Sequence, residues 1–432
     1  MKVITYGTFD LLHEGHLNLL RRAKALGDYL VVGVTSENYD RSRGKLNVLR
    51  SLAQRIEDVK NTGFADEIIV EEYEGQKVND IQKYKVNIFA IGSDWCGKFD
   101  YLADYCKVVY LERTKGISST GLRNEQNPVI RLGIIGSGRI ARRFVPEAKF
   151  VSGIDVQGVY NPHTESAKTF AHACELNFYT DNIDEFFAKT DAVYIASPHL
   201  THADYIRLCL EHSKHVLCEK PMVLSVAQCL EMFDLAKQKK LVLMEAIKTA
   251  YCPAFLHLIG IIKSGVIGTI KDVDASFTKL MNGSIRELDA SQAGGSMTEL
   301  SSYVLLPIIK LLGTNWKDIR FYPQMANGID YFTKAIIEYE RATAGFKVGL
   351  GVKTEGELIV SGTKGYAYVP APWWKTEYFE LRYEDVNQTM KYFYKFNGDG
   401  LRYEIQEFVN QIHAPAMQSV KLCKEDSVVM AA

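Results

Sequence analysis

The chain has 432 residues, of which 47% are hydrophobic and 24% are charged, and its formal net charge is −1. This length predicts two or three globular domains of ordinary composition. The near-neutral charge excludes the broad basic field of a nucleic-acid-binding or membrane-surface protein, so we expect no nucleic-acid partner.

The N-terminal stretch "MKVITYGTFD" lacks the apolar core of a signal peptide, and no uncharged apolar run approaches the roughly 20 residues that span a bilayer. The eight cysteines include no CxxC pair. Their scatter predicts neither a metal site nor a disulfide framework. We therefore expect a cytoplasmic protein with reduced thiols and no membrane insertion.

Strand-like runs alternate with helical patterns over the first 125 residues. "KVITYG", "YLVVGVTS", "DEIIVEEY" and "VNIFAIGS" are predicted strands, and "HLNLLRRAKAL" is a predicted helix that stops at Gly27. The apolar runs are continuous rather than alternating, which is typical of strands buried on both faces of a parallel sheet.

The stretch "YGTFDLLHEGHLNLL" places two histidines, His13 and His16, directly after the first strand and its Gly7 turn. Residues three apart share one side of a helical turn, and a helix N-terminus suits phosphate because its N–H groups are free. From these residues alone, two interpretations stay equally open: polar residues at a helix start, or ligands of an anion.

Three segments, "GTFDLLHEGH", "IGSDWCGKFDYL" and "LERTKGISSTGLR", resemble in the same order the motifs of glycerol-3-phosphate cytidylyltransferases in the nucleotidylyltransferase superfamily. This resemblance implies a Rossmann-like domain over residues 1–125. It implies that His13 and His16 contact the phosphates of CTP and stabilise the transition state, with Mg²⁺ accompanying the nucleotide. The acceptor implied is glycerol 3-phosphate or a similar polyol phosphate.

The same resemblance implies further ligands of CTP and the phosphates, which are Gly7, Thr8, Phe9, Asp10, Lys45, Arg55, Asp94, Trp95, Arg113, Thr114, Ile117, Ser118 and Ser119. Outside the resemblance, Lys45 and Arg55 would be interpreted as solvated surface charges and Trp95 as a packing residue. "GISST" stands where "GISTT" is commoner, and Ser119 keeps the hydroxyl.

The pattern restarts near residue 126, after the polar linker "RNEQNPV". "IRLGIIGSGRIARRF" carries Gly136, Gly138 and Ala141 as a GxGxxA turn between a strand and a helix, the arrangement that admits a dinucleotide pyrophosphate. The next strand, "VQGVYNP", ends at Asn161 rather than at an acidic residue, so NAD and NADP both stay open. The arginines of "RIARR" favour NADP or form a solvated helix face.

"AVYIASPHLTHADYIRLCLEHSKHVLCEKPM" resembles the family of glucose–fructose oxidoreductase and inositol 2-dehydrogenase, and "GGSMTELSSYVLLPIIKLLG" resembles its dimeric dihydrodiol dehydrogenase branch. The resemblance implies an NAD(P)-binding Rossmann domain over residues 126–250. An α/β domain over 251–432 would follow, with a large open, mostly antiparallel sheet that forms a homodimer contact. The implied cofactor ligands are Gly136, Gly138, Arg139, Ile140, Asn161, Pro198, His202, Glu219 and Lys220.

In that family the lysine of the "EKP" segment polarises or protonates the reacting oxygen, which implies Lys220 as a catalytic residue with Tyr303 as its partner. The chain departs from its relatives at "ELSSY", where Glu299 replaces an aspartate and Ser301 a glycine. A histidine found in other branches is absent. These departures leave the keto- or hydroxy-sugar substrate, and even the activity, open.

The sequence thus predicts a bifunctional enzyme. A cytidylyltransferase would make a CDP-alcohol and pyrophosphate, and an NAD(P)-dependent oxidoreductase would make or modify the polyol. The alternative is a cytidylyltransferase with a non-catalytic NAD(P)-binding or dimerisation module.

Overall fold

The computed structural model describes residues 1–42, 48, 50–73, 75–112, 128–414, 419 and 421–431. The chain divides into two compact units, one made of Met1–Val129 with Val151–Gly153, and one made of Ile130–Phe150 and Ile154–Ala432. The predicted boundary at residue 250 falls inside the second unit, and the division into domains 1–125, 126–250 and 251–432 stays a prediction.

The first unit is built on five parallel strands in the spatial order β3-β2-β1-β4-β5. The strands are β1 (Lys2–Gly7), β2 (Tyr29–Thr35), β3 (Glu67–Glu71), β4 (Ile88–Gly92) and β5 (Lys107–Leu111). The helices of its described residues are α1 (Glu14–Lys24), α2 (Glu37–Ser42), α3 (Leu52–Asn61) and α4 (Gln76–Tyr84). The parallel Rossmann-like fold predicted from the continuous apolar runs is confirmed.

Apolar side chains cover both faces of this sheet, which is why its strands lack polar alternation. Val3 and Val32 point into a cluster with Leu20 of α1, whereas Ile4 and Val31 point into a second cluster. All five side chains are fully buried. Successive strand residues therefore serve opposite faces of one sheet.

The strand order places the carboxyl ends of β1 and β4 side by side. From β1 the chain extends the sheet through β2 and β3, and then crosses to the other side of β1 to form β4 and β5. Ligands of open α/β sheets bind in the crevice at such a reversal. The crevice here lies beyond Gly7 and Gly92.

The second unit begins with six parallel strands in the order β11-β10-β9-β6-β7-β8. They are β6 (Ile130–Ile135), β7 (Ile154–Tyr160), β8 (Phe178–Thr180), β9 (Ala192–Ile195), β10 (His215–Glu219) and β11 (Leu243–Ala246). Its helices are α5 (Arg139–Ala148), α6 (Thr164–Cys174), α7 (Ile183–Ala188), α8 (His202–Glu211) and α9 (Val226–Lys239). The strand order reverses between β6 and β9, which marks this sheet's own ligand crevice.

An eight-stranded sheet follows in the order β13-β14-β15-β12-β16-β17-β18-β19. Its strands are β12 (Ile270–Thr278), β13 (Asp318–Ala326), β14 (Ile329–Glu338), β15 (Thr343–Gly349), β16 (Leu358–Gly362), β17 (Tyr366–Val369), β18 (Tyr378–Arg382) and β19 (Met390–Phe393). Only the β12–β15 pair is parallel. The large, mostly antiparallel sheet predicted for the C-terminal part is confirmed.

Four further helices belong to this part of the second unit: α10 (Pro253–Lys263), α11 (Ser296–Leu312), α12 (Leu401–His413) and α13 (Lys424–Met430). α11 packs on β12, β14 and β15, and most of its side chains are buried. Among the described residues, no helix has the length and the hydropathy of a membrane span.

Candidate active sites

The loop between β1 and α1 is held in a strained shape beside the first crevice. Phe9 and Leu11 have φ angles of +52° and +47°, values that non-glycine residues seldom adopt. Phe9 is 1% exposed because its ring enters the core, and buried Asp10 accepts a hydrogen bond from the Arg50 N–H at 3.0 Å. Such strain persists where the surroundings over-determine a loop, commonly at a functional site.

The predicted histidine pair lies at the start of α1, which begins at Glu14 rather than at His16 as the pattern predicts. His13 is the N-cap residue, and its Nδ1 accepts from the Gly15 N–H at 3.1 Å. Because Nδ1 is an acceptor, the neutral His13 ring carries its proton on Nε2. The two rings stack with centroids 3.9 Å apart, and His16 meets Phe9 edge-on at 5.4 Å.

Arg55 lies beneath this loop and is 0% exposed, so its interpretation as a solvated surface charge is wrong. Its Nη1 donates to the carbonyls of Thr8 and Thr35, both at 2.8 Å, and lies 3.7 Å from the Asp40 carboxylate. Its Nε donates to the Arg50 carbonyl at 3.1 Å. Nη2 has no hydrogen-bond partner within the described ranges. Arg55 therefore joins the carboxyl ends of β1 and β2, with one donor group left over.

Four other predicted ligands of this site lie within the described residues, near the carboxyl ends of β4 and β1. Asp94 and Trp95 form a 3₁₀ turn, Ser93–Trp95, directly after β4, and both are exposed. Since β4 neighbours β1, this turn borders the crevice opposite the histidine loop. Gly7 ends β1 and Thr8 follows it, with the Thr8 hydroxyl donating to Asp40 at 2.8 Å. The remaining predicted ligands, Lys45, Arg113, Thr114, Ile117, Ser118 and Ser119, lie outside the described residues.

Lys77 was missed by the sequence interpretation. It lies in the first turn of α4, is 7% exposed and pairs with the carboxylate of Glu71. Its Nζ lies 4.7 Å from the ring centroid of Tyr6 and 5.4 Å from that of Phe99. Lys77 is thus a buried cation that is paired with one carboxylate and lies over two aromatic rings. The local sequence does not predict the burial of Lys77, because its partners Glu71, Tyr6 and Phe99 lie in three other segments.

The glycine turn of the second unit fits a dinucleotide. Gly136 has φ +98°, and a Cβ there would lie 2.7 Å from the carbonyl oxygen of Ala196 at the end of β9. Gly138 is the N-cap of α5 and offers no side-chain acceptor, so the first N–H groups of that helix have no side-chain cap. These groups suit a pyrophosphate. Arg139 and half-buried Ile140 open the helix.

We expect Gly136→Ala to weaken NADH and NADPH binding. The substitution forces a Cβ against a backbone oxygen at a positive φ, a strain of about 1–3 kcal/mol, which corresponds to roughly 5- to 150-fold in Kd. Fluorescence titration of the full chain measures it. Gly260→Ala is the matched control, because nothing lies within 4 Å of a Cβ built there. Equal affinities for both variants would contradict a cofactor at this turn.

Asn161 organises the glycine turn from the end of β7. Its Nδ2 donates to the Ser137 hydroxyl at 2.9 Å, and its Oδ1 accepts from the His163 N–H at 2.9 Å. Both polar atoms of this side chain are therefore engaged by the protein. Its predicted contact with a ribose hydroxyl stays a prediction.

The arginines of "RIARR" are not a free basic cluster. Arg139 pairs with Glu287 at 2.6 Å, and Arg143 pairs through Nε with Asp399 at 2.7 Å. Arg142 lies 5.4 Å from the ring of Phe170. Two of the three therefore have carboxylate partners, and NAD and NADP both stay open.

Lys220 directly follows β10, before a cis peptide bond to Pro221. Its Nζ donates to the carbonyl oxygen of Glu299 at 2.8 Å and lies 3.6 Å from the Glu299 carboxylate. The predicted partner Tyr303 has its ring centroid 5.9 Å from Nζ and packs edge-on against Phe277. Burial, followed by the charges of Glu219 and Glu404, raises the pKa of the Tyr303 phenol.

His202 and Pro198 belong to the turn after β9. Pro198 is exposed, whereas His202 is fully buried, with Nδ1 2.9 Å from the Pro221 carbonyl and Nε2 2.9 Å from the Ser197 carbonyl. Burial lowers the pKa of His202. The neutral ring has one N–H and donates to one of these two carbonyls, so it packs between the turn after β9 and the segment that carries Lys220, which is a positioning role.

Half-buried Glu219, next to Lys220 in the chain, interacts with a second carboxyl group, that of buried Glu404. Glu219 accepts from the Tyr194 hydroxyl at 2.6 Å, and burial raises its pKa. Glu404 is 0% exposed, and neither of its carboxyl oxygens has a hydrogen-bond partner among the residues described. Burial, and then the charge of Glu219, raise the pKa of Glu404 well above its usual value. Glu404 was missed because it lies in a helix far along the chain.

His199, in the same turn as His202, was also missed. Its side chain is 5% exposed, and its Nδ1 lies 3.1 Å from Nη1 of Arg286. Burial, with the charges of Lys220, Arg286 and His202, lowers the pKa of His199 to about 2. The ring is therefore neutral at neutral pH and accepts a hydrogen bond from Arg286.

We expect this histidine to make the second unit sensitive to acid. Below about pH 6.5, His199 binds a proton in the unfolded state but stays neutral in the folded state. The free energy of unfolding therefore falls as the pH is lowered. His199→Asn should flatten this dependence. Denaturant unfolding followed by tryptophan fluorescence at several pH values measures it, since Trp316, Trp373 and Trp374 report on this unit. Parallel curves for the two proteins would contradict the expectation.

Over the part of the chain that the structure describes, no group of three or more His, Cys, Asp and Glu side chains is arranged to hold a metal ion.

Comparisons with known proteins match the two parts of the chain to two different families. Residues 4–130 match the family described as cytidylyltransferase-like, and residues 130–247 match the oxidoreductase family with an NAD-binding Rossmann fold. Glycerol-3-phosphate cytidylyltransferase of Bacillus spizizenii is 47% identical over 124 residues, which are 29% of this chain and 95% of the relative.

The second unit has relatives of its own. Trans-1,2-dihydrobenzene-1,2-diol dehydrogenase of Sus scrofa is 30% identical over 252 residues, which are 57% of this chain and 75% of the relative. A 3-ketoreductase of Actinomadura kijaniata, solved with NADP and TDP-benzene, has the same fold with a TM-score of 0.63. It is 22% identical, and the match covers 70% of this chain and 95% of that one. The chain belongs to the cytidylyltransferase-like family in its first part and to the NAD-binding Rossmann-fold oxidoreductase family in its second, and it is a nucleotidyltransferase joined to an NAD(P)-dependent oxidoreductase.

Proposed function

We propose that the first unit transfers CMP from CTP to a small polyol phosphate, giving a CDP-alcohol and pyrophosphate. Glycerol 3-phosphate is the expected acceptor, and glycerol 2-phosphate or a tetritol phosphate is the alternative. The observation that carries the proposal is the stacked pair His13 and His16 at a helix N-terminus beside the strand-order reversal. This is where an α/β sheet binds anionic ligands.

In the proposed reaction an oxygen of the acceptor phosphate attacks the α-phosphorus of CTP. The new P–O bond forms as the bond to the pyrophosphate oxygen breaks, so no covalent enzyme intermediate is needed. The chain contributes position and charge, with the His13 Nε2–H and the His16 ring aimed at phosphate oxygens. Mg²⁺ is proposed to accompany the CTP phosphates and neutralise their charge.

We propose that the second unit reduces a carbonyl compound with NADH or NADPH. The cofactor supplies the hydride when bound. Lys220 would hold the carbonyl oxygen and give it a proton, and Glu299, which accepts from Nζ through its backbone carbonyl, keeps the lysine in place. Tyr303 is proposed as a second polar group near the reacting oxygen.

Fusion of the two activities is explained most simply by a shared metabolite. The reductase would supply or modify the polyol, and the transferase would then join the polyol phosphate to CMP. We propose that such CDP-alcohols are donors for teichoic-acid-like or capsular polymers and that the protein acts in the cytoplasm. The eight-stranded sheet is the proposed contact of a homodimer.

The test incubates the full chain with CTP, Mg²⁺ and one polyol phosphate at a time, and measures pyrophosphate. Release with glycerol 3-phosphate, glycerol 2-phosphate or a tetritol phosphate supports the proposal and names the acceptor. No release with any three- to five-carbon polyol phosphate would sink it. Mass spectrometry of products from CTP, NAD(P)H and keto phosphates then tests whether the two reactions connect.

A further inference from the structure

A charged cluster that sequence reasoning did not identify lies beside Lys220. Buried Glu299, in the first turn of the helix Ser296–Leu312, faces two cations. Its Oε1 lies 3.0 Å from Nη1 of Arg286, and its Oε2 lies 3.6 Å from Nζ of Lys220. The Glu299 carboxylate therefore links Arg286 to Lys220, and the neighbouring His199 is neutral.

Arg286 is fixed from one side only. Its Nη1 contacts both the Glu299 carboxylate and Nδ1 of His199, at 3.0 Å and 3.1 Å. The side chain nevertheless remains 29% exposed. Across the described ranges, the hydrogen bonds and ion pairs of Arg286 all involve Nη1. Nε and Nη2 are therefore left as donors, and together they form the edge of a guanidinium that matches two oxygens of one anion.

We propose that Arg286 binds a phosphate group on the carbonyl substrate of the oxidoreductase unit, with Lys220 at the carbonyl oxygen. The inference rests on the proposed reductase function and names its substrate class, a small phosphorylated aldehyde or ketone. Lys220 and Arg286 both contact the Glu299 carboxylate. One small molecule that carries a phosphate and a carbonyl can therefore reach both side chains. His199 and Glu299 act as positioning residues for the guanidinium.

The remaining donors of Arg286 favour an anionic substrate over a neutral sugar. A substrate without an anionic group would leave the Nε–Nη2 edge to water, whereas a phosphate accepts from both donors and pairs with the guanidinium charge. The product, a polyol phosphate, is also the class of acceptor that the first unit is proposed to use. Phosphate recognition at Arg286 would therefore select the compound that both units need.

The kinetic test compares matched carbonyl compounds with and without phosphate, such as dihydroxyacetone phosphate and dihydroxyacetone, in the full chain with NADPH or NADH. We expect Arg286→Met to lower kcat/KM about 10- to 100-fold more for the phosphorylated compounds than for the unphosphorylated ones, mainly through KM. Arg286→Lys, which keeps the charge without the bidentate edge, should fall between. Arg207→Met, at an exposed ion pair, is the matched control.

A binding measurement separates this inference from the proposed reductase function. Calorimetric titration with dihydroxyacetone phosphate in the presence of NADP⁺ needs no turnover, and any binding at the first unit is the same in all variants. Loss of one binding event in Arg286→Met, and its retention in Arg207→Met, supports the inference. Equal binding by the two variants, equal kinetic losses for both members of a pair, or a preference for carboxylates overturns it. A wild-type chain that binds but turns over no carbonyl compound contradicts the reductase function alone.

Discussion

Replacing His16 with alanine is expected to lower the rate of cytidylyl transfer about 10²- to 10³-fold, the usual effect of removing one donor aimed at a developing anionic charge. His16 stacks on His13 and does not cap the helix, so its loss should leave the first unit folded. Pyrophosphate release and circular dichroism on the same preparation measure both effects.

His13 provides the matched comparison because it has two roles. Its Nδ1 caps the helix, while its Nε2–H is the proposed phosphate donor. Asparagine is a good N-cap residue, so His13→Asn should lose transfer and keep stability, whereas His13→Ala should also lose about 1 kcal/mol of stability. Wild-type transfer rates in His16→Ala and His13→Asn would contradict the phosphate role.

The parallel sheets could be predicted because strands that are buried on both faces appear in the sequence as continuous apolar runs. Runs such as "YLVVGVTS" and "HVLCEKP" are continuous apolar segments between helical patterns, and both form strands of parallel sheets. The first helix begins at Glu14, two residues before the start that the sequence predicts at His16. Histidine is not a preferred N-cap residue, and only the bond from the Gly15 N–H to His13 shows that it caps this helix.

The features that the sequence missed share a different cause. Arg55 was named by the resemblance, but its burial was not predicted, because it depends on the carbonyls of Thr8, directly after β1, and of Thr35 in β2. Arg286 and Glu404 likewise acquire their surroundings from segments far away in the chain. The spacing of residues within one segment does not predict partners that come from distant segments. Motif resemblance located the loops and Lys220, but the charged cluster around Glu299 needed the fold.

Replacing Lys220 with methionine is expected to slow reduction of the carbonyl substrate about 10²- to 10⁴-fold, the usual contribution of a positioned acid. Methionine keeps the length and apolar stem of the side chain, so the change removes the proton donor and the ion pair with Glu299 while preserving packing. Most of the cofactor affinity should persist, because the glycine turn that is proposed to hold the pyrophosphate lies between β6 and the helix Arg139–Ala148. NAD(P)H oxidation and fluorescence titration measure the two effects.

Two comparisons make this result decisive. Lys237→Met, at an exposed lysine of the helix Val226–Lys239, controls for the loss of one charge and should reduce substrate at the wild-type rate. Cytidylyl transfer by Lys220→Met should equal that of the wild type, because the first unit has its own core and its own crevice. If Lys220→Met and wild type reduce a substrate equally fast, Lys220 is not the acid. If the wild-type chain binds NAD(P)H tightly and turns over no carbonyl compound, the second unit is a cofactor-binding or dimerisation module, and the raised pKa values of Glu219 and Glu404 then report burial without catalysis.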